Sequence, residues 1–363
     1  MQIKQVQLNN FRNYHSLSLS FTPGVHIFWG SNAQGKTNLL EAIFIAVLGK
    51  SFRANHDDEL IRWDANEGSI CVNFANKIAD YSLQFSLKRE NNRENILNGK
   101  QVKKKEVIGI LNAVFFSPED LGLIKGNPSQ RRRFIDFEIS QTNSAYYYAL
   151  LQYNRAIYQR NHLLKRINEG QEKRSTIDLW DQQLIELADR IVIERRSTIT
   201  QLMVIAAKIH NKMTNGTEIL SARYFVFGAQ EEEKEYRNWY GEILRSSREK
   251  DIRRGTTEFG PHRDDILFEI NSFNGKTFAS QGQQRTTVLS LKLAEIELMR
   301  QHSEEYPILL LDDVMSELDE KRRIKLIEEI DGKVQTFITG TERLNMLDEL
   351  NPVYYKVESG AVY

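Results

Sequence analysis

The run Gly30, Ser31, Asn32, Ala33, Gln34, Gly35, Lys36 and Thr37 has the Walker A spacing of a phosphate-binding loop. Glycine at Gly30 and Gly35 lets the backbone curl until successive N–H groups face an anion, and the positive end of a following helix adds to the attraction. In such a loop Lys36 neutralises charge on the β- and γ-phosphates and the Thr37 hydroxyl ligates Mg²⁺. Far downstream, Tyr306-Pro-Ile-Leu-Leu-Leu311 is an apolar run ending in Asp312 and Asp313, as expected of a buried strand that delivers carboxylates to a sheet edge. This is the Walker B pattern: Asp312 is assigned to Mg²⁺, and Asp313 to orienting or deprotonating a water. Bound ATP and its hydrolysis are the chemistry these residues can do.

The elements that must position them are legible nearby. Residues 3 to 29 alternate as strands, Val25-His-Ile-Phe-Trp29 running straight into Gly30. From Lys36 to Leu48 the apolar residues Leu39, Leu40, Ile43, Phe44 and Val47 recur at helical spacing, and Gly49 stands where that helix stops. Ser69 to Ala75 and Tyr81 to Lys88 read as antiparallel strands of a meander, and Asn98-Gly99 as a hairpin turn.

Proline is absent between Pro128 and Pro261, and from Ser129 to Asn215 the only glycine is Gly170, so two long helix-forming stretches are expected there. In the second, Leu184, Leu187, Ile191, Thr198, Leu202, Ile205 and Ile209 keep a heptad-like seam suited to intramolecular packing. Glu231-Glu-Glu-Lys-Glu235 reads as a solvated face or loop. Sheet-like and helical patterns return from about Thr256. The expected fold is α/β: a P-loop ATPase head from residues 1–116 and 256–363, with a mixed central sheet and an antiparallel meander, and an inserted, mainly helical lobe from 117–255.

Composition narrows the classes. Lysine plus arginine and aspartate plus glutamate each total 49 in 363 residues, so any surface for nucleic acid must be local. One cysteine, Cys71, and seven scattered histidines leave no internal disulfide and no cysteine–histidine metal cluster to expect. The polar, alternating opening residues and the lack of a long apolar stretch lead to the expectation of a cytoplasmic chain with no membrane partner.

Before Walker B, Ser280, Gln281, Gly282 and Gln283 precede an amphipathic run, and after it comes Ser316-Glu317-Leu318-Asp319. These resemble the signature and D-loop of the ATP-binding cassette family, with Gln281 in place of the signature's first glycine. In that family the signature faces a nucleotide held by another copy, so the resemblance implies a homodimer with ATP buried between subunits, Ser280, Gly282 and Gln283 acting in trans. A transport subunit is disfavoured because Val334-Gln-Thr-Phe-Ile338 runs into Thr339-Gly-Thr341 with no histidine. A tether of the SMC type would need a long coiled coil, and the insertion is short. A small-molecule kinase would leave the signature segment unexplained.

Asn10-Phe11-Arg12-Asn13-Tyr14 is similar to an element of the genome-maintenance branch that includes SMC and Rad50. Together with Gly49-Lys-Ser-Phe-Arg53, Phe116-Ser-Pro-Glu-Asp-Leu121, Arg131-Arg-Arg-Phe-Ile-Asp136 and Gly260-Pro-His-Arg-Asp-Asp265, it resembles the RecF family over essentially the whole chain. That resemblance implies a weak, DNA-dependent ATPase of recombinational repair that dimerises on ATP at gapped or junction DNA and helps RecO and RecR load RecA. It also implies that Arg12 lies near the nucleotide. Asp313 stands where many cassette proteins carry glutamate, one methylene shorter in reach, so hydrolysis is expected to be slow.

Candidates for DNA contact are Lys103-Lys-Lys105, Arg131-Arg-Arg133 and Arg253-Arg254, each of which could equally be a solvated face, and Arg131 to Arg133 a structural hinge. His262, beside Arg263, Asp264 and Asp265, is expected to shape an edge of the site rather than to catalyse. Tyr146, Tyr147, Tyr148, Tyr153 and Tyr158 are expected to pack within helices rather than to stack on bases.

Overall fold

Alternating apolar residues give the opening hairpin, β1 (Gln2–Phe11) and β2 (Tyr14–Ser20), in which Ile3, Val6, Leu8 and Phe11 all point inward. The structure, a computed structural model, describes residues 1–89, 93–229 and 235–363. The chain continues through β3 (Val25–Trp29) and α1 (Lys36–Leu48) to the meander β4 (Glu67–Ala75), β5 (Asp80–Lys88), β6 (Glu94–Leu97) and β7 (Lys100–Val102), then β8 (Ala113–Phe116). The helices α2 (Gly122–Lys125), α3 (Pro128–Thr142), α4 (Ser144–Asn168) and α5 (Ile177–Met213) follow, then β9 (Leu220–Phe225), α6 (Tyr236–Arg254), β10 (Asp265–Ile270), β11 (Phe273–Asn274) and α7 (Gly275–Phe278). The last part is α8 (Gln281–Ser303), β12 (Ile308–Asp312), α9 (Glu320–Ile330), β13 (Thr336–Gly340), β14 (Val353–Glu358) and β15 (Ala361–Val362).

Two compact units result. The first comprises residues 1–121, 208–217 and 280–363, and the second residues 122–207 and 218–279. The first unit holds two six-stranded sheets, ordered β2-β1-β4-β5-β6-β7 and β15-β14-β3-β13-β12-β8. In the second of these, β14, β3, β13, β12 and β8 run parallel and β15 antiparallel. β3 and β12 are thus both flanked by strands, which explains their unbroken apolar runs and the burial of every residue of β12. The Asn98-Gly99 turn is as expected, both residues having positive φ.

One sequence expectation needs correction. The head does not resume at residue 256: residues 256–279 group with the second unit, and the return comes at Ser280. The second unit is mainly helical, as expected, and β9, β10 and β11 add a three-stranded antiparallel sheet to it. The first helical stretch breaks at Asn143, whose side chain accepts from Tyr146 N and caps α4. Of the expected α5 seam, Leu184, Leu187, Ile191, Thr198 and Leu202 are buried, but further on Ala206 and His210 take over from Ile205 and Ile209. A straight helix of 3.6 residues per turn drifts off a strict heptad in this way. The acidic run from Glu231 lies, up to Lys234, outside the described residues.

The second unit is held by buried ion pairs. Arg160, fully buried, donates to Asp181 Oδ1 at 2.7 Å, to Asp251 Oδ2 at 2.8 Å and to Thr257 Oγ1 at 2.8 Å. Arg195 donates to Asp136 through two nitrogens, and also to Tyr224 Oη and Pro261 O. Arg131, 2% exposed, makes a fork with Asp265 (2.6 and 2.9 Å), and Arg132 donates to Asp264 O at 2.7 Å. The arginine run and the Gly260–Asp265 segment therefore bind each other, and of the three DNA candidates in that run only Arg133 is exposed. Tyr146, Tyr147 and Tyr153 are buried as expected, whereas Tyr158 is 68% exposed.

His262 Nε2 donates to Thr257 O at 3.2 Å, and its Nδ1 is bonded to Tyr153 Oη at 2.8 Å. Burial pushes it from 6.5 down to about 4, while burial raises the nearby Asp264 from 3.8 to about 6. Between pH 4 and 6.5 the unfolded chain binds the histidine proton and the fold does not, so His262 costs stability as pH falls. Asp264 does the reverse, because over most of that window the fold holds a proton that the unfolded carboxylate has lost. Relative to wild type, His262→Gln should therefore gain about 3 kcal/mol in unfolding free energy between pH 6.5 and pH 4. Urea titrations at both pH values check this, and a constant difference between the two proteins would contradict it.

Candidate functional site

The phosphate loop is built by what lies beneath it. Gly30 has φ 153°, and a Cβ there would meet Val357 O at 2.3 Å; Gly35 has φ 117°, and a Cβ would press on the Asn13 side chain at 2.7 Å. Only glycine fits at either place. The loop is then tied at several points: Gly30 N donates to Gly340 O, Asn13 Nδ2 and Gly360 N donate to Gln34 O, and Tyr14 Oη donates to Gly35 O. Gln34 Oε1 accepts from Ser359 N at 2.6 Å. Ser31, Asn32 and Ala33 form the exposed crest, Ala33 with φ 64°.

Lys36 opens α1 and is buried, its ammonium donating to Gly30 O at 2.6 Å and Ser31 O at 2.8 Å. Burial pushes it below its ordinary value, while the charges of Asp313 and Asp312 oppose that shift. Thr37 Oγ1 donates to Asp312 Oδ1 at 2.8 Å, which joins the two Walker motifs directly. The same oxygen accepts from Thr339 Oγ1 at 2.8 Å, and Thr339 Oγ1 accepts in turn from Asp313 N at 2.9 Å. Asp313 stands in the left-handed region at φ 54°. Burial raises its carboxyl, Lys36 pulls it down, and Asp312 and Glu317 raise it further.

Thr339 was not marked from the sequence. Its signal was position alone: it lies opposite Asp312 near the end of the neighbouring strand β13, where a hydroxyl reaches the Asp312 carboxylate and the Asp313 backbone. Glu41 was also missed. It is fully buried on α1, and Arg12 holds it with a fork at 2.9 and 2.8 Å while donating to Glu59 O at 2.7 Å. Arg12 thus sits on the rim of a cavity of about 560 Å³ that Asn13, Asn38, Arg53 and the exposed Trp63 also line. Asn13 joins this cavity to the phosphate loop.

Ser280 caps α8: its Oγ accepts from Gln283 N at 3.2 Å, and Gln283 Oε1 accepts from Ser280 N at 2.9 Å. The N–H groups of Gln281 and Gly282 belong to the first turn, beyond the reach of any intrahelical carbonyl. Asp319, the last D-loop residue, caps α9.

A hydroxyl and a carboxylate oxygen at Thr37 and Asp312 form the hard-oxygen set that suits Mg²⁺ accompanied by phosphate oxygens. Among the described residues there is no group of three or more His, Cys, Asp or Glu side chains placed to hold a metal alone, and no helix long and apolar enough to cross a membrane.

The model of the RecF/RecN/SMC N-terminal domain matches residues 2–360. DNA replication and repair proteins RecF of Bacillus thuringiensis (strain Al Hakam) and Bacillus cereus (strain AH187) are each 44% identical over 345 residues, covering 94% of this chain and 92% of theirs. A structure of the recombination mediator protein RecF with ATP, of the RecFOR pathway, superposes with a TM-score of 0.90 at 34% identity, covering all of this chain and 97% of that one. An Smc head domain from Pyrococcus furiosus shares the fold, with a TM-score of 0.56 at 18% identity. The match along nearly the full length, over a phosphate loop, paired acids and a capped signature helix, means that this chain belongs to the RecF family, with the fold of an ATP-binding cassette head.

Proposed function

We propose that the chain is an ATP-gated DNA-binding protein of replication and recombinational repair, working as a homodimer that closes on ATP and opens on slow hydrolysis. The observation that carries the reading is the Thr37–Asp312 hydrogen bond, which brings a phosphate loop and a paired-acid strand to one point. The RecF relatives are called DNA replication and repair proteins, and RecF structures are described with ATP in the RecFOR pathway. RecO and RecR are accordingly the partners proposed here, acting with this chain to load RecA on gapped DNA.

In this reading the N–H groups of the loop and Lys36 hold the β- and γ-phosphates, and the cavity lined by Arg12, Asn38 and Trp63 takes the base and ribose. Thr37 and Asp312 would hold Mg²⁺, which would supply charge neutralisation to the nucleotide phosphates. Asp313 orients the attacking water and takes its proton as the bond between the γ-phosphorus and the bridging oxygen breaks and ADP leaves. Ser280, Gly282 and Gln283 serve the nucleotide of the other copy.

For DNA the basic group with support from geometry lies at the far end of α1. Arg93 Nη1 donates to Gly49 O at 2.9 Å, and Lys104 packs where a Cβ of Gly49 would stand. Burial, then the charges of Arg93 and Lys50, hold Lys104 below its ordinary value, with Asp57 opposing them. Such a concentration of cations fits a phosphate backbone.

Three outcomes are expected. Native mass measurements with ATP, Mg²⁺ and a gapped duplex should find Asp313→Asn accumulating as a DNA-bound dimer; monomers throughout would defeat the proposal. Lys50→Ala and Lys104→Ala should each lower the slope of log affinity against log salt by about 0.9 without changing sequence preference. Thr339→Val strips Asp312 of one donor and leaves Asp313 N unpaired, so stability should fall by about 1–3 kcal/mol and Mg²⁺-ATP affinity with it, read by thermal melts with and without nucleotide.

A further inference from the structure

Arg322, in the first turn of α9, is bound on two sides. It pairs through Nη1 with Asp319, whose Oδ1 also accepts from Arg322 N at 3.0 Å. On the other side Nε and Nη2 donate to Thr286 Oγ1 at 2.9 and 2.6 Å, and Nη2 donates to Gly282 O at 2.8 Å. Thr286 Oγ1 donates to the same Gly282 carbonyl at 3.0 Å. One guanidinium therefore spans the start of the signature helix α8 and the end of the D-loop. A second tie, Arg285 to Glu317 at 3.3 Å, runs beside it.

Helix stability does not call for this residue. A cation in the first turn of α9 opposes the positive end of the helix dipole, and Asp319 alone would cap it. What an arginine adds is its rigid fork of donors, which can hold a carboxylate and a carbonyl at once; a lysine offers one point charge. The D-loop leads back to the acids: Ser316 Oγ donates to Asp313 O at 2.8 Å, and Glu317 bears electrostatically on the Asp313 carboxyl. Hydrogen bonds thus join Gly282, Arg322 and Asp319, the D-loop backbone leads from Asp319 to Ser316, and Ser316 is bonded to the backbone of Asp313.

We propose that Arg322 is a positioning residue that makes the signature turn and the D-loop one rigid body, so that contact of Ser280–Gln283 with the partner subunit's nucleotide sets Asp313 over this chain's own nucleotide. The inference rests on the reading of the signature as acting in trans. Its consequence is that neither site of the dimer hydrolyses until both nucleotides are clasped, and turnover is cooperative in ATP.

The test compares Arg322→Ala, Arg322→Lys and, for the underlying reading, Ser280→Arg in the full chain. Nucleotide affinity at protein concentrations too low for dimers, ATP-dependent dimer mass, kcat, KM and the Hill coefficient are measured. Arg322→Ala should bind nucleotide within about twofold of wild type and still dimerise at saturating ATP, with kcat down at least about tenfold and a Hill coefficient near 1. Arg322→Lys should not restore either value. Unchanged kcat and cooperativity in Arg322→Ala, full rescue by lysine, or a parallel loss of nucleotide affinity and melting temperature would each overturn the proposal. Ser280→Arg that dimerises and hydrolyses like wild type would remove the trans reading itself, whatever Arg322→Ala does.

Discussion

One carboxylate oxygen, Asp312 Oδ1, takes hydrogen bonds from two hydroxyls, and the site depends on it. Thr37 comes from the first helix and Thr339 from a strand near the end of the chain, and Thr37 and Asp312 are 275 residues apart in sequence. The sheet forces this meeting. β3 lies between β13 and β14, so the strand that feeds the phosphate loop is completed only when the C-terminal strands arrive on both sides of it. Such contacts carry a large loop-closure cost and form late. The insertion between the head segments is tolerable because it buries its own core and its own ion pairs.

Around that oxygen the loop is held from below as well as by its own Lys36. Asn13, Tyr14, Ser359 and Gly360 all bond to Gln34 or Gly35. Fixing the backbone in advance leaves its N–H groups little reorganisation to undergo when an anion arrives, so their dipoles add to the charge of Lys36. The same logic explains the buried Arg12–Glu41 pair. Removing either partner would strand a charge against α1, so the pair fixes the helix that carries Lys36 and Thr37.

The parts of this arrangement legible in the sequence were those with local chemistry. The bounds of α1 follow from Gly35 and Gly49, both in left-handed conformations, and β12 from its apolar run. The amphipathic run after Ser280–Gln283 gave α8, whose start the structure caps with Ser280 and Gln283. What escaped were residues whose role depends on distant partners. Arg131 reads as one member of a basic run, yet Asp265, 134 residues on, buries it; Thr339 reads as a strand terminus until Asp312 is placed beside it. The return to the head was placed too early because β10 looks like any head strand, and only its pairing with β9 assigns it to the insertion.

Asp313 shows how local geometry constrains an acid beside a phosphate loop. The chain turns sharply after β12, and at φ 54° this position lies in a region costly for most side chains and better tolerated by aspartate, whose short carboxylate can bond locally. A glutamate would reach farther, and what fixes the turn is backbone: Asp313 N donates to Thr339 Oγ1 at 2.9 Å and Asp313 O accepts from Ser316 Oγ at 2.8 Å. The shorter acid sits instead among Lys36, Asp312 and Glu317, where burial raises its affinity for a proton and Lys36 restrains the rise. Reach is exchanged for a turn that keeps the carboxylate beside the phosphate loop and its lysine.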